Sequence, residues 1–468
     1  DSEQYYIFLE VMADELWDMR WKSAAVNLYR KLLGRTKESV SQKALRKVAI
    51  FMEDRKISGF TRYLNEYKTR YPKDKTSEYF LWLLAKESLR KSNPDEAVKF
   101  LEEALLRHAH GAYSGRVRFW LYKIYKKYNK TKHVNRILKE LITENPDSSY
   151  TWTVLERIKR IYNIKDLKKG FISSIKAERY KDALFYHSLL FFRDRDFDSR
   201  DNRIKLIKFP LIDRYNRFEK DIIDYETNSD LSEIVKNVEK YFVVGYSEGI
   251  NREFSLISDD PKSQKEIYTA LSFFGGKYNN YYMSFKGTLK MLKYYKLKEN
   301  MFILSSNSIM RLLPEAFKNY IEKISREKNI SRELIYAMIK SESSFNHKAV
   351  SPAGATGLMQ LMPETAKGVA KDLKISSYDL KNPLISITFG TRYLQWLKRI
   401  FPGGYTKSFE KIVGGYNAGA GNVIKWRKKL RYNDIDYYIE FIPFKETKGY
   451  ILRTKKYLIQ YKLIYNYL

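Results

Sequence analysis

The sequence predicts a mainly α-helical chain in two parts, and three observations carry that expectation. Helix breakers are sparse over the first 313 residues, with 10 Gly and 5 Pro, then roughly double in density, with 11 Gly and 6 Pro in the last 155. Amphipathic segments recur through the first part at helical spacing, separated by turn-forming stretches. At 468 residues and 44% hydrophobic content, the chain can fold and is too long for one ordinary core. The expected organisation is an α-helical solenoid with its linker over 1–313 and a second, glycine-richer α domain over 314–468.

Within the first part, "AAVNLYRKLL" (Ala24 to Leu33), "EAVKFLEEALL" (Glu96 to Leu106) and "HVNRILKELI" (His133 to Ile142) each follow an earlier amphipathic segment. "KSNPDEA" and "TENPDSS" supply the turns. The stretch "FLWLLAKESLRKSNPDEAVKFLEEAL" resembles a tetratricopeptide-type hairpin, with aromatic and small residues where paired helices touch. The spacing is uneven, which points to a helical solenoid rather than a strict repeat. The charged run Arg193 to Arg203 reads as a joint within it. Two apparent motifs fail. Gly245-x-Ser247-x-Gly249 has the spacing of a nucleophile elbow, but only His347 follows it and no α/β pattern surrounds it. Gly276-Lys277 lacks the upstream glycine of a phosphate loop and has Tyr278 where Ser or Thr belongs.

The formal charge is +32, from 87 Lys+Arg against 55 Asp+Glu. Such a surface favours a polyanion, whether nucleic acid, anionic lipid or an acidic wall polymer. The Lys, Asn, Ile and Tyr richness of an AT-rich genome explains the same excess without any partner. There is no cysteine, which removes thiol catalysis, disulfides and cysteine-ligated zinc. The five histidines are too scattered to suggest a metal site, and neither metal nor cofactor is expected. No apolar run reaches the ~18 residues needed to span a bilayer.

The segment Ile335 to Ala366, "IYAMIKSESSFNHKAVSPAGATGLMQLMPETA", changes character midway. Ser331 can cap a helix in which Leu334, Met338 and Glu342 recur every four residues, widened by Ile335 and Ile339 and extended by Phe345. Glu342 therefore points to the apolar side, where loss of water favours a protonated carboxyl. On spacing alone, a helix-end glutamate curving back to solvent fits slightly better. After it, Gly354 and Gly357 with Ala353 and Ala355 let backbone approach a ligand closely. Gln360 and Met362 alternate before a helix opening at Pro363 and Thr365.

Four pieces in order, "ESSFN" (342–346), "SPAGATGLMQLMPETA" (351–366), "GYNAGAG" (415–421) and "FIPFKETKGYI" (441–451), resemble the catalytic domain of soluble bacterial lytic transglycosylases, a branch of the goose-type lysozyme superfamily. The resemblance covers about 155 residues by motif, and the helical part before them by architecture alone. It implies a lysozyme-like α domain, with Glu342 as the single general acid/base. It implies that Phe345, Ser351, Gln360, Met362, Tyr416, Asn417 and Glu446 line the cleft, with Ser351 near the N-acetyl or muramyl group. Tyr416 would reach towards Glu342, and Glu446 would support rather than attack. Of the aromatics crowding this half (Tyr393, Trp396, Tyr405, Tyr416, Trp426, Tyr432, Tyr437, Tyr438), only Tyr416 is taken as a ligand contact. Phe441 and Lys448 depart from the family's usual small polar residue and arginine, which puts a peptide or sugar subsite in doubt.

The family's chemistry needs one carboxyl where most glycosidases use two. The implied substrate is peptidoglycan, cleaved between N-acetylmuramic acid and N-acetylglucosamine to leave a 1,6-anhydro ring. The implied location is the cell envelope, in the periplasm, with a leader removed before Asp1. The implied partners are glycan strands, with other wall or division proteins on the solenoid, and no nucleic acid. Rival readings are a hydrolytic lysozyme on the same fold, and a non-catalytic wall-binding scaffold.

Overall fold

The computed structural model describes residues 2–159, 161–193, 210–227, 232–244, 249–250, 260–430 and 433–465. Most of the charged run 193–203, the Gly245-x-Ser247 elbow and Tyr432 lie outside them. Among the described residues the secondary structure is helical, and extended pairing is limited to two isolated bridges, Val350 with Thr356 and Thr356 with Leu361. By packing, the chain forms two compact units, Asp1–Asn145 and Pro146–Leu468.

The first unit is a run of helical hairpins in which each helix packs on the next, from Ser2–Asp18 to Thr131–Glu144. Helix starts are written in the sequence. Asp74 accepts a hydrogen bond from the Thr76 amide, and Asn93 caps a helix that opens on Pro94, which has no amide to leave unsatisfied. Small and large apolar residues, including Ala44, Leu45, Trp82, Ala97, Leu101 and Trp120, are fully enclosed. Several buried polar groups are answered internally. Glu78 accepts from the Tyr113 amide at 2.7 Å, and Arg118 donates to Asn145 and to the Ala109 carbonyl at 2.8 and 2.9 Å.

In the second unit, the hairpin Pro261–Lys277/Tyr281–Tyr294 closes over small residues. A β-carbon at Gly275 or Gly287 would lie 2.4 Å from the Ser284 or Ser272 backbone nitrogen respectively. The Gly-Gly-Lys stretch is therefore a helix contact, not a phosphate cradle.

The compact units divide at 145/146, and the composition boundary at Pro314 falls inside the second of them. Packing across Pro314 is the reason. Helix Ser149–Ile158 lies against Lys445–Tyr465, near the C-terminus. Arg157 holds Asp436 through both guanidinium nitrogens at 2.7 Å, and the Tyr150 hydroxyl contacts Glu440 at 3.4 Å. Trp152 stacks on Phe302 with centroids 5.2 Å apart. Glu299 sits between Lys340 and Lys456 at 3.6 and 3.8 Å, and Lys340 also donates to the Leu312 carbonyl at 2.7 Å. Pro314 marks a change in composition within a continuous packed body.

Candidate active site

The site is built on helix Arg332–Ser343. Ser331 accepts from the Leu334 amide at 3.3 Å, as a capping serine should. Leu334 to Ile339 are buried and fix the helix against Lys445–Tyr465. Glu342 falls in the last turn. It is partly accessible at its surface, and protein crowds its carboxyl closely. Burial is the largest influence and lifts its pKa to about 8. The Tyr450 hydrogen bond and Arg453 pull it down, and the nearby Glu446 pushes it up. A carboxyl held there carries its proton at neutral pH.

The chain then reverses through Ser344 and Phe345, both left-handed with φ of 50° and 68°. Phe345 is expected among the sugar contacts. At 3% exposure its ring belongs to the core, so it shapes the turn behind Glu342 rather than offering a face to a sugar. The following loop is braced from within. The Ser351 hydroxyl accepts from the Ala355 amide at 3.0 Å, and the Gln360 amide donates to the Ala349 and Gly357 carbonyls at 3.1 and 2.9 Å. These two expected ligand residues therefore have internal duties. Gly357 has φ of 84°, and a β-carbon there would meet the Leu380 carbonyl oxygen at 1.9 Å, so only glycine fits. Gly390 is constrained by space alone, because the Met359 side chain lies on it. Met362 occupies the position before the next helix without a capping hydrogen bond and is 43% exposed.

Two further helices close the site. Phe409–Ala418 brings Tyr416, whose hydroxyl donates to the Met359 carbonyl at 2.8 Å. Tyr416 does not hold Glu342 directly. It lies close enough for the glutamate's charge to add to the burial that raises the phenol well above its usual pKa. The group that donates to Glu342 is the Tyr450 hydroxyl, buried and likewise raised, so it stays a donor at any working pH. The motif "FKETKGYI" points to Glu446 and does not mark Tyr450. The available signal was a phenol one turn beyond that glutamate on the same helix. Asn417 is turned to its neighbour, accepting from the Thr447 hydroxyl at 2.6 Å. Glu446 is exposed in the first turn of Lys445–Tyr465. Lys448 is buried and pairs with Glu440 at 2.8 Å, so its departure from the family pattern falls in the core.

Residues 319–439 match the family described as the transglycosylase SLT domain. The chain is 36% identical over 154 residues to the soluble lytic murein transglycosylase of Salmonella typhimurium, spanning 32% of this chain and 23% of that protein. It is 31% identical over 170 residues to the membrane-bound lytic murein transglycosylase C of Histophilus somni, spanning 31% of this chain and 46% of that protein. The matched part is thus less than half the length of either relative. Over 98% of its length the chain is also similar in fold to 62% of the crystal structure of the 70 kDa soluble lytic transglycosylase from Escherichia coli, with a TM-score of 0.57 and 18% identity.

Proposed function

Since the chain carries a transglycosylase SLT domain over residues 319–439, we propose that it is a peptidoglycan lytic transglycosylase with Glu342 as its one acid/base. The observation that carries the reading is the enclosed Glu342 carboxyl, raised to about 8 and held by the Tyr450 hydroxyl. The protonated carboxyl gives its proton to the oxygen joining N-acetylmuramic acid to N-acetylglucosamine, and that bond breaks. The 2-acetamido carbonyl of the substrate shields the cation-like carbon. Glu342, now a carboxylate, takes the proton of the muramyl C6 hydroxyl, whose oxygen bonds to C1 and closes the 1,6-anhydro ring. One proton leaves Glu342 and one returns, and no water is consumed. A pKa near the working range suits a group that must do both. Tyr450 steadies the carboxylate between the steps and fixes its direction.

Ser351, Gln360, Met362, Tyr416, Asn417 and Glu446 form the cleft around this centre in the proposal. Ser351 and Gln360 hold the loop in shape, and Met362 offers an exposed face. The enzyme would work in the cell envelope on glycan strands, with the 314–468 segment as its catalytic module and the solenoid as a surface for other wall proteins. No helix among the described residues is long and apolar enough to cross a membrane. The position of Glu446 favours the second reading, a hydrolytic lysozyme, since it is a carboxylate close enough to raise Glu342. Digesting purified sacculi and weighing the products separates the two. Transglycosylation leaves products one water lighter than reducing-end sugars, and mainly reducing ends would overturn the proposal.

A further inference from the structure

Helix Pro383–Ile400 carries an aromatic pair that the chemistry above does not use. Tyr393 touches the ring of Tyr416 with centroids 5.2 Å apart at 56°. Trp396, one turn further along, stacks face to face on Tyr393 with centroids 5.5 Å apart at 16°. The three rings touch in succession, from Tyr416 near Glu342 to Trp396, which is 43% exposed. A single exposed aromatic is ordinary on a protein surface. This one is the outer member of a run of ring contacts that reaches Tyr416, and one of its faces is covered by Tyr393.

We propose that Trp396, backed by Tyr393, is a sugar-stacking platform that holds a pyranose ring of the glycan strand one or two residues away from the bond broken at Glu342. This rests on the proposed action on glycan strands and adds a subsite to it. The chemistry is that of a flat, weakly polar surface meeting the C–H face of a β-linked sugar, with the indole quadrupole turned towards those hydrogens. Tyr393 covers one face of the indole and fixes its tilt, so binding costs little side-chain freedom. The distance from the centre sets the function. Trp396 meets only strands long enough to reach it, so it favours long strands over fragments and leaves the chemistry at Glu342 unchanged.

The test uses the full chain carrying Glu342→Gln, so that strands bind without being cut, and purified glycan strands of graded length in titration calorimetry. Adding Trp396→Ala is expected to weaken binding of long strands about ten-fold, the size that loss of one aromatic stacking partner brings. A disaccharide should bind as before, and Trp396→Tyr should restore most of the loss. In the active enzyme, Trp396→Ala should raise KM for long strands and leave kcat unchanged. Equal weakening of short and long strands would mean a structural effect and would overturn the platform, as would long-strand affinity unchanged within two-fold. In the latter case the Glu342 reading stands while the platform falls. Failure of the Glu342→Gln chain to bind any strand, together with an inert wild type, would bring down both.

Discussion

Glu78, in the N-terminal hairpins, and Glu342, in the candidate site, are both glutamates that burial pushes above the ordinary carboxyl pKa. Their surroundings differ. Glu78 faces the backbone amides of Ala112, Tyr113 and Ser114, which pull its pKa back down, and it fills the space beside Gly111 so closely that a β-carbon there would lie 2.3 Å from its carboxylate. Glu342 has one hydroxyl donor, Tyr450, with Glu446 as a like charge nearby, and its residue is only partly covered. A third case, Glu299, is buried yet held below its usual pKa by Lys456 and Lys340. Burial alone does not make a catalytic carboxyl. Glu78 and Glu299 are closed off by donors or cations, whereas Glu342 keeps its proton exchangeable.

The comparison is broken most directly at Glu342 itself. Glu342→Gln keeps the shape of the side chain and loses the proton, so turnover on sacculi should fall by at least the ~10²–10⁴-fold typical of a lost general acid/base, with folding retained. Glu446→Gln should be much milder. A dead Glu446 variant beside an active Glu342 variant would move the acid to the other carboxylate. In wild type, activity should fall as pH rises through about 8, where Glu342 loses its proton.

Tyr450→Phe sharpens the point. Its hydroxyl lowers the Glu342 pKa, so removing it should move the alkaline limb of the pH–rate profile upward. Turnover should also drop about ten-fold, the cost of roughly one charge-assisted hydrogen bond. An unmoved limb would separate the tyrosine from the acid.

How much of this was legible differs between the two regions. Hairpins show in a single sequence because the 3.6-residue period, Asn93-Pro94 and Asp74 act locally, and the structure bears them out as helices. Ser331 and the apolar stripe were equally local, whereas spacing left the direction of Glu342 open between the core and solvent. Tyr450 was not local, because it comes to Glu342 from 108 positions away, through the packing of two helices. The burial of the Phe345 ring is hidden for a related reason. Its place in the motif is visible, but its left-handed turn into the core is not. The Pro314 junction was read from composition, which is blind to Arg157 reaching Asp436 across 279 positions.

That ion pair gives the next test. Asp436 is buried, and Arg157→Met leaves it without its bidentate partner. Breaking such a pair costs about 3–5 kcal/mol when both groups are buried, and about 1–3 kcal/mol is expected here because the Arg157 side chain is 35% exposed. The loss should show as a lower melting temperature. Adding Asp436→Asn should recover part of it, since the stranded charge is gone.

The smallest effect is expected at Glu78, and its sign can be worked out. Its folded pKa is raised, so the folded state binds its proton more readily than the unfolded chain does. Stability contributed at this site is therefore greatest below the ordinary carboxyl pKa and declines as pH rises through the interval up to the raised value. Glu78→Gln removes that titration but replaces one acceptor oxygen with an NH₂ group facing backbone amides. At neutral pH the two changes oppose each other, and a net destabilisation of about 1 kcal/mol is expected from the lost acceptor. The variant's melting temperature should also change less than wild type's between pH 4 and 7, and turnover on sacculi should be unaltered. If Glu78→Gln cuts turnover while leaving melting unchanged, the contrast drawn between a closed and an exchangeable carboxyl is wrong.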